Sequence, residues 1–295
     1  TRTGNPAAPY PGAFHHTAAR TMRFLFTSAQ LTGHLDWGGF LPTAAMLARR
    51  GHQTLWASGA AVAGQVEAAG PAFQILGETG WRWPPPPALP RGVMSDAAWS
   101  NARILRAMDQ WLDVDRVAAA SAELLTVAAA FKPDLIVTEP FVAAAAVVAE
   151  RLSLPLVVAG WPAREPAAQP NPAPAGALEA DFAARRAHWG ITGHYFSRTG
   201  PPAIVSPLLH ITYWSASWYA APDAIPIGAQ TRHVGGSAPS PRPPAADLPD
   251  PAARPWLLIT LGTAFNRDPA FFSAAAQAAV AAGALPLVAT GPLSP

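Results

Sequence analysis

The sequence predicts an α/β protein built on a parallel β-sheet. Three observations carry the prediction. Short apolar runs of five or six residues recur along the chain. Segments with a helical apolar face stand between them. Glycines at 51 and 70 close two of those helices shortly before the next run begins.

Residues 22–27 (MRFLFT) are apolar and β-favouring between polar neighbours, as expected of a buried strand. A helix follows at about residues 39–50, where Phe40, Leu41, Ala44, Ala45, Leu47 and Ala48 share a face and Gly51 ends it. Next come a strand at 53–57 (QTLWA), a helix at 60–69 stopped by Gly70, and a strand at 72–76 (AFQIL). A long Trp/Pro segment over 77–98 interrupts this rhythm and leads into one long helix over 98–130. The alternation resumes with a strand at 134–138 (DLIVT), a helix at 142–152 and a strand at 155–160 (PLVVAG). Residues 161–221 read as irregular, apart from a helix at 176–189. The aromatic cluster at 213–219 is expected to bury Trp214, Trp218 and Tyr219 in the core.

Repeated prolines over 239–255 mark a semi-rigid linker. Beyond it the pattern restarts with a strand at 256–261 (WLLITL), a helix at 269–282 and a strand at 285–290. The expected organisation is a flexible leader at 1–20, a first domain at 21–237, a linker at 238–254 and an incomplete second domain at 255–295. Three elements cannot cover both faces of a parallel sheet, so either the chain is truncated or another segment completes the second unit.

Composition narrows the function classes. Half of the 295 residues are apolar and only 13% are charged, which supplies a core and excludes general disorder. The net charge is +2, and the arginines are scattered singly, with Lys132 the only lysine, so a nucleic-acid interface is not expected. Without cysteine there are no disulfides, thiolate metal sites or cysteine nucleophiles. No apolar run reaches the roughly 20 residues of a membrane span, and residues 1–20 lack the pattern of a signal peptide. A cytoplasmic protein is the expectation, with self-association left open.

The phosphate-binding signatures G-x-G-x-x-G and G-K-[ST] are absent after the first strand. The segment there is Ser28-Ala29-Gln30-Leu31-Thr32-Gly33-His34, followed by Leu35-Asp36-Trp37-Gly38-Gly39. Ligands of open parallel sheets lie beyond the carboxyl ends of the strands. His34 is therefore the leading candidate for a general base, beside glycines that let backbone approach a ligand. His52, just after a helix stop, is expected to order its turn. Histidines 188, 194, 210 and 233 lack metal-ligand spacing, and no metal is expected.

Four motifs occur in the order of a known family: MRFLFTS…GH…LP…LARRGH, VEAAG, PDLIVTEP and RPWLLITLGTAFNRDP. With them the sequence resembles the GT-B fold, UDP-glycosyltransferase-like enzymes of glycosyltransferase family 1, of the bacterial natural-product type. The resemblance covers about residues 22–160 and 254–291. It implies a Rossmann-like first domain that binds a hydrophobic acceptor, and the opening βαβ unit of a second Rossmann-like domain that binds the donor.

It further implies inverting transfer of a sugar from a nucleotide sugar, UDP- or TDP-linked, with no other cofactor. His34 would take the proton from the acceptor hydroxyl, and a carboxylate behind it would fix its tautomer. The family places an aspartate after the fourth strand; here Glu139 stands there, and Asp36 is the competing carboxylate. Gly262 and Thr263 would contact donor phosphates. The remaining donor elements are not found before Pro295, so this chain alone is expected to bind donor poorly and to be inactive.

Gly33, Trp37, Trp81, Trp83 and Phe141 are the candidate acceptor-binding residues, although the Trp81–Trp83 segment reads equally as a packed lid. Two other readings stay open. One is a GT-B-fold sugar-nucleotide epimerase, which would need dense carboxylate and arginine contacts. The other is a non-catalytic homologue that binds an apolar ligand or a partner.

Overall fold

The computed structural model describes residues 20–83, 95–164, 175–198, 202–220, 226–236, 250–262 and 268–290. The expected leader and most of the linker lie outside the described residues, as does residue 263. The first unit is a seven-stranded sheet in which every neighbouring pair is parallel. Its strands are β1 (Arg23–Thr27), β2 (Gln53–Ser58), β3 (Ala72–Ile75), β4 (Leu135–Thr138), β5 (Leu156–Ala159), β6 (Leu209–Thr212) and β7 (Thr231–His233). The order is β3-β2-β1-β4-β5-β6-β7, so the chain winds outward from β1 in one direction and from β4 in the other.

The helices are α1 (Thr32–Asp36), α2 (Phe40–Arg49), α3 (Ala63–Ala69), α4 (Asp96–Trp111), α5 (Val114–Phe131), α6 (Ala143–Arg151) and α7 (Ala175–His188). Successive strand residues point to opposite faces, and both faces are covered. Leu25, Ala57, Ile136 and Val158 face a core shared with α4, α5, α6 and α7. Their neighbours Phe26, Trp56, Val137 and Ala159 face a second core with α1, α2 and α3. In α6 every residue from Ala143 to Ala149 is buried, and its small alanines let the helix backbone lie close against the sheet and α5.

Three expectations are corrected. The long helix over 98–130 is two helices. Leu112 leaves helical geometry, and Asp113 restarts the chain by accepting a hydrogen bond from Arg116 N–H at 3.0 Å. An aspartate at that position competes for the backbone and favours a new N-terminus over continuation. The irregular stretch after residue 160 holds β6, and β7 follows beyond it. These are strands of four and three residues, too short to show a period. Finally, Trp214 and Trp218 are exposed, not core; their ring centroids lie 5.0 Å apart with the planes tilted by 31°, and Tyr219 is half-buried.

The second unit contains β8 (Trp256–Thr260), α8 (Pro269–Ala281) and β9 (Leu285–Ala289), with β8 and β9 parallel. Asp268 caps α8 by accepting from Phe271 N–H, and Pro269 occupies the first turn, where no N–H is needed. Ile259, Phe272 and Ala279 form its small separate core. Among the described residues no helix is long and apolar enough to cross a membrane.

Candidate active site

The site lies where β1 and β4 run side by side, at their carboxyl ends. Register pairs Thr27 with Thr138, and their hydroxyls hydrogen-bond at 2.9 Å. The segments leaving the two strands therefore emerge together, although about a hundred residues separate them in sequence. After β1 the expected open turn closes into the single helical turn α1, with His34 N–H donating to Leu31 O at 2.9 Å. After β4 the chain places Glu139 with no exposed surface.

His34 Nδ1 and Glu139 Oε1 are 3.0 Å apart in this buried setting. Glu139 also accepts from Ala29 N–H through Oε1 and from Phe141 N–H through Oε2, both at 3.2 Å. Two backbone donors therefore hold the carboxylate in place and satisfy its charge. An ionised carboxylate only accepts, so a neutral imidazole bonded to it through Nδ1 carries its hydrogen there and its lone pair on Nε2. Asp36 is exposed and makes no contact with the imidazole. The carboxylate on His34 is therefore Glu139.

Three aromatic rings enclose the imidazole: Trp81 at 4.8 Å, Trp37 at 5.6 Å and Phe141 at 5.8 Å between centroids. Trp37 ends α1 in the left-handed region, at φ 44, and its ring lies against Gly160. A Cβ on Gly160 would stand 3.0 Å from that ring, which explains the glycine after β5. The expectation that glycines near His34 receive a ligand is not met at Gly38 and Gly39. The space there is filled by Tyr213, whose ring carbons would be 2.5 and 2.7 Å from a Cβ on Gly39. The Tyr213 hydroxyl donates to Thr43 Oγ1 at 2.9 Å, because the Thr43 hydrogen is already given to Gly39 O. Burial pushes the Tyr213 pKa up to about 12, against the opposing effect of the Thr43 bond.

Beside these rings opens an apolar cavity of about 490 Å³, with Trp37, Trp111, Phe141, Trp161, Trp214 and Trp218 in its wall. Of the candidate acceptor-binding residues, Trp37 and Phe141 line it. Trp81 is instead buried against His34, and Trp83 is half-buried against the main core. Gly33 lies within α1 and is not in the wall. His34 is not in the wall but contacts two of the rings that line it, Trp37 and Phe141.

Sequence reasoning missed Trp111, Trp161, Trp214 and Trp218. Trp161 was recoverable, since it directly follows the carboxyl end of β5. Trp214 and Trp218 follow β6, which had not been recognised.

His210 also lines the cavity from β6 and is almost wholly buried. Its Nε2 accepts from Ser206 N–H at 2.9 Å, and its Nδ1 donates to Trp161 O at 3.1 Å. Burial lowers its pKa to about 4, only partly countered by the Trp161 bond, so it is neutral at ordinary pH. His52 accepts from Met22 N–H through Nδ1, consistent with its expected role in ordering a turn. No group of three or more His, Asp or Glu among the described residues has the arrangement of a metal site. In the second unit, Gly262 leaves β8 exposed at φ 74 and donates to Thr260 Oγ1. Thr263 lies outside the described residues.

No protein-family model and no curated protein matches the chain by sequence. Solved structures do match. The glycotransferase of kitacinnamycin aligns over 92% of this chain and 66% of its own, with 17% identity and a TM-score of 0.64. SsfS6 from Streptomyces sp. SF2575, complexed with thymidine diphosphate, aligns over 91% and 67%, with 21% identity and a TM-score of 0.58. The calicheamicin glycosyltransferase CalG4 aligns over 94% and 66%, with 23% identity and a TM-score of 0.56. The chain spans about two thirds of the length of each. At these identities the likeness concerns architecture, and the chain has the GT-B fold of the natural-product glycosyltransferases.

Proposed function

We propose that this chain is the acceptor-binding domain, residues 21–237, joined to the opening of the donor-binding domain, residues 255–295, of an inverting glycosyltransferase. The acceptor hydroxyl gives its proton to His34 Nε2 as its oxygen bonds to the anomeric carbon of a nucleotide sugar. The bond from that carbon to the diphosphate breaks on the opposite side, and the nucleoside diphosphate leaves with the electron pair. Glu139 holds the imidazole through Nδ1 and stabilises the cation that forms. The donor is a UDP- or TDP-sugar, with Gly262 and Thr263 on its phosphates. The acceptor is a hydrophobic hydroxylated small molecule seated in the aromatic cavity.

The observation that carries this reading is the buried 3.0 Å contact between His34 and Glu139, which leaves Nε2 as the basic nitrogen. His34 is not in the cavity wall but lies against two rings that are, Trp37 and Phe141, so these rings partly screen Nε2 from the cavity. That same screening favours a second reading, a homologue that binds an acceptor without turning it over. The epimerase reading gains nothing from a cavity wall whose described residues carry a single charged side chain.

The test uses the chain joined to a whole donor lobe and measures sugar transfer from UDP- and TDP-sugars to polycyclic phenols. His34→Ala is expected to lower kcat at least about 100-fold with an unchanged circular-dichroism spectrum. Retention of more than about a tenth of kcat would sink the base assignment. A parent protein that binds acceptors but never turns them over would establish the second reading.

A further inference from the structure

Among the described residues of its wall, the aromatic cavity carries one permanent charge. His210 is neutral, with both ring nitrogens occupied by backbone groups, which leaves Arg164 as the single ionised side chain among the described residues of the wall. Arg164 follows β5, and its backbone pairs with Ile227 in an isolated antiparallel bridge. Its guanidinium carbon lies 5.7 Å from the centroid of the Tyr219 ring, which also lines the cavity. Tyr219 is positioned in turn by its hydroxyl, 3.4 Å from Thr212 Oγ1, and by its ring, 5.8 Å from that of His233.

Among the described residues no carboxylate pairs with Arg164; the ion pairs use Arg20, His34, Arg116 and Arg185. A guanidinium carries five donors in a planar fork that matches a carboxylate, and it is more weakly hydrated than an ammonium. The contact with the Tyr219 ring engages the ion without its hydrogen-bond donors, and among the described residues no acceptor occupies that fork. An exposed ion pair is worth little in water, but the aromatic wall removes solvent from one side and strengthens the pairing.

We propose that the cavity selects an anionic amphiphile, whose aromatic body packs against Trp161, Trp214 and Trp218 while its carboxylate pairs with Arg164. The proposal rests on the reading that this cavity holds the acceptor. It makes Arg164 a specificity-determining residue and separates it from the proton-transferring pair, His34 and Glu139.

The test is calorimetric titration of this chain with two probes of the same shape, anthraquinone-2-carboxylate and anthraquinone-2-carboxamide. The carboxylate is expected to bind about tenfold more tightly, the range of a charge-assisted bidentate contact. Arg164→Gln is expected to bring the two affinities within about twofold and to leave that of the amide unchanged. Trp218→Ala, at an exposed position whose loss spares the core, is expected to weaken both probes. If both probes bind and respond to Trp218→Ala, but the parent shows no preference or the preference survives Arg164→Gln, the charge assignment is overturned and the acceptor reading stands. A carboxylate of the chain's own on Arg164 would produce that first outcome. If neither probe binds, or neither responds to Trp218→Ala, the acceptor reading falls and the charge assignment with it.

Discussion

His210 makes the domain's stability depend on pH in a way that can be calculated. The side chain is 2% exposed, and its neutral form is required, because Nε2 must accept the Ser206 N–H bond. Folding lowers its pKa from 6.5 to about 4. Between those values the unfolded chain binds the proton and the folded chain does not, so stability falls as the pH drops. Above about pH 7 the effect vanishes, since neither state is protonated. At about pH 5 the linkage amounts to about 2 kcal/mol, and below about pH 4 it approaches about 3 kcal/mol. That is a large fraction of the stability of an ordinary domain. The assay is urea unfolding followed by far-ultraviolet circular dichroism across this pH range, for the parent and for His210→Gln, which cannot titrate. Other groups contribute to both profiles, so the difference between them isolates His210. It should shrink by about 2 kcal/mol between about pH 7 and about pH 5. Parallel profiles would refute the argument and show that His210 protonates in the folded state as readily as in the unfolded chain.

Two other substitutions test the frame around the site. Glu139→Gln keeps the shape but must turn an NH₂ towards either Phe141 N–H or the side shared by Ala29 N–H and His34. One buried donor then loses its acceptor, at a cost of about 1–3 kcal/mol, read as a lower urea midpoint. An unchanged midpoint would show that the carboxylate is not bonded to those backbone groups. Gly39→Ala puts a methyl group against the Tyr213 ring, with its nearest carbon 2.5 Å away. The buried ring cannot swing clear, so a loss of about 1–3 kcal/mol is expected, measured as a drop in Tm. No drop would mean that Tyr213 and α2 separate freely.

The inner part of the fold could be read from the chain because its signals are local. Leu25 and Phe26, or Ile136 and Val137, sit in runs of apolar residues that only a strand covered on both faces would use. His34 is legible from its position after a strand, whereas Glu139 is a candidate only through the family resemblance, with Asp36 as its rival. What joins them is the outward winding of the sheet, which sets β1 next to β4. The outer part was obscured for the opposite reason. In β6 and β7 too few residues alternate to show a period, and their role depends on neighbours supplied by the sheet. The cavity is less local still. Trp37, Trp111, Trp161 and Trp214 come from four separate connections, and no window of sequence contains more than one of them. The helix break at Leu112 and Asp113 rests on one capping hydrogen bond, from Arg116 N–H to Asp113, within a long apolar pattern that reads as continuous.

The pairing of β1 with β4 has a consequence for how the protein comes into being. His34 and Glu139 are 105 residues apart, and the hydrogen bond between them cannot exist until the two central strands have joined. A nascent chain that has made α1 through α5 already contains the histidine but not the group that sets its tautomer. The imidazole acquires this partner only when β1 and β4 pair, a long-range contact of the kind that forms slowly. The Nδ1 proton of His34, shielded from solvent and bonded to Glu139, is thus a resonance that reports on completed chain topology. Its appearance during refolding would time the step at which a collection of βα segments becomes a single domain.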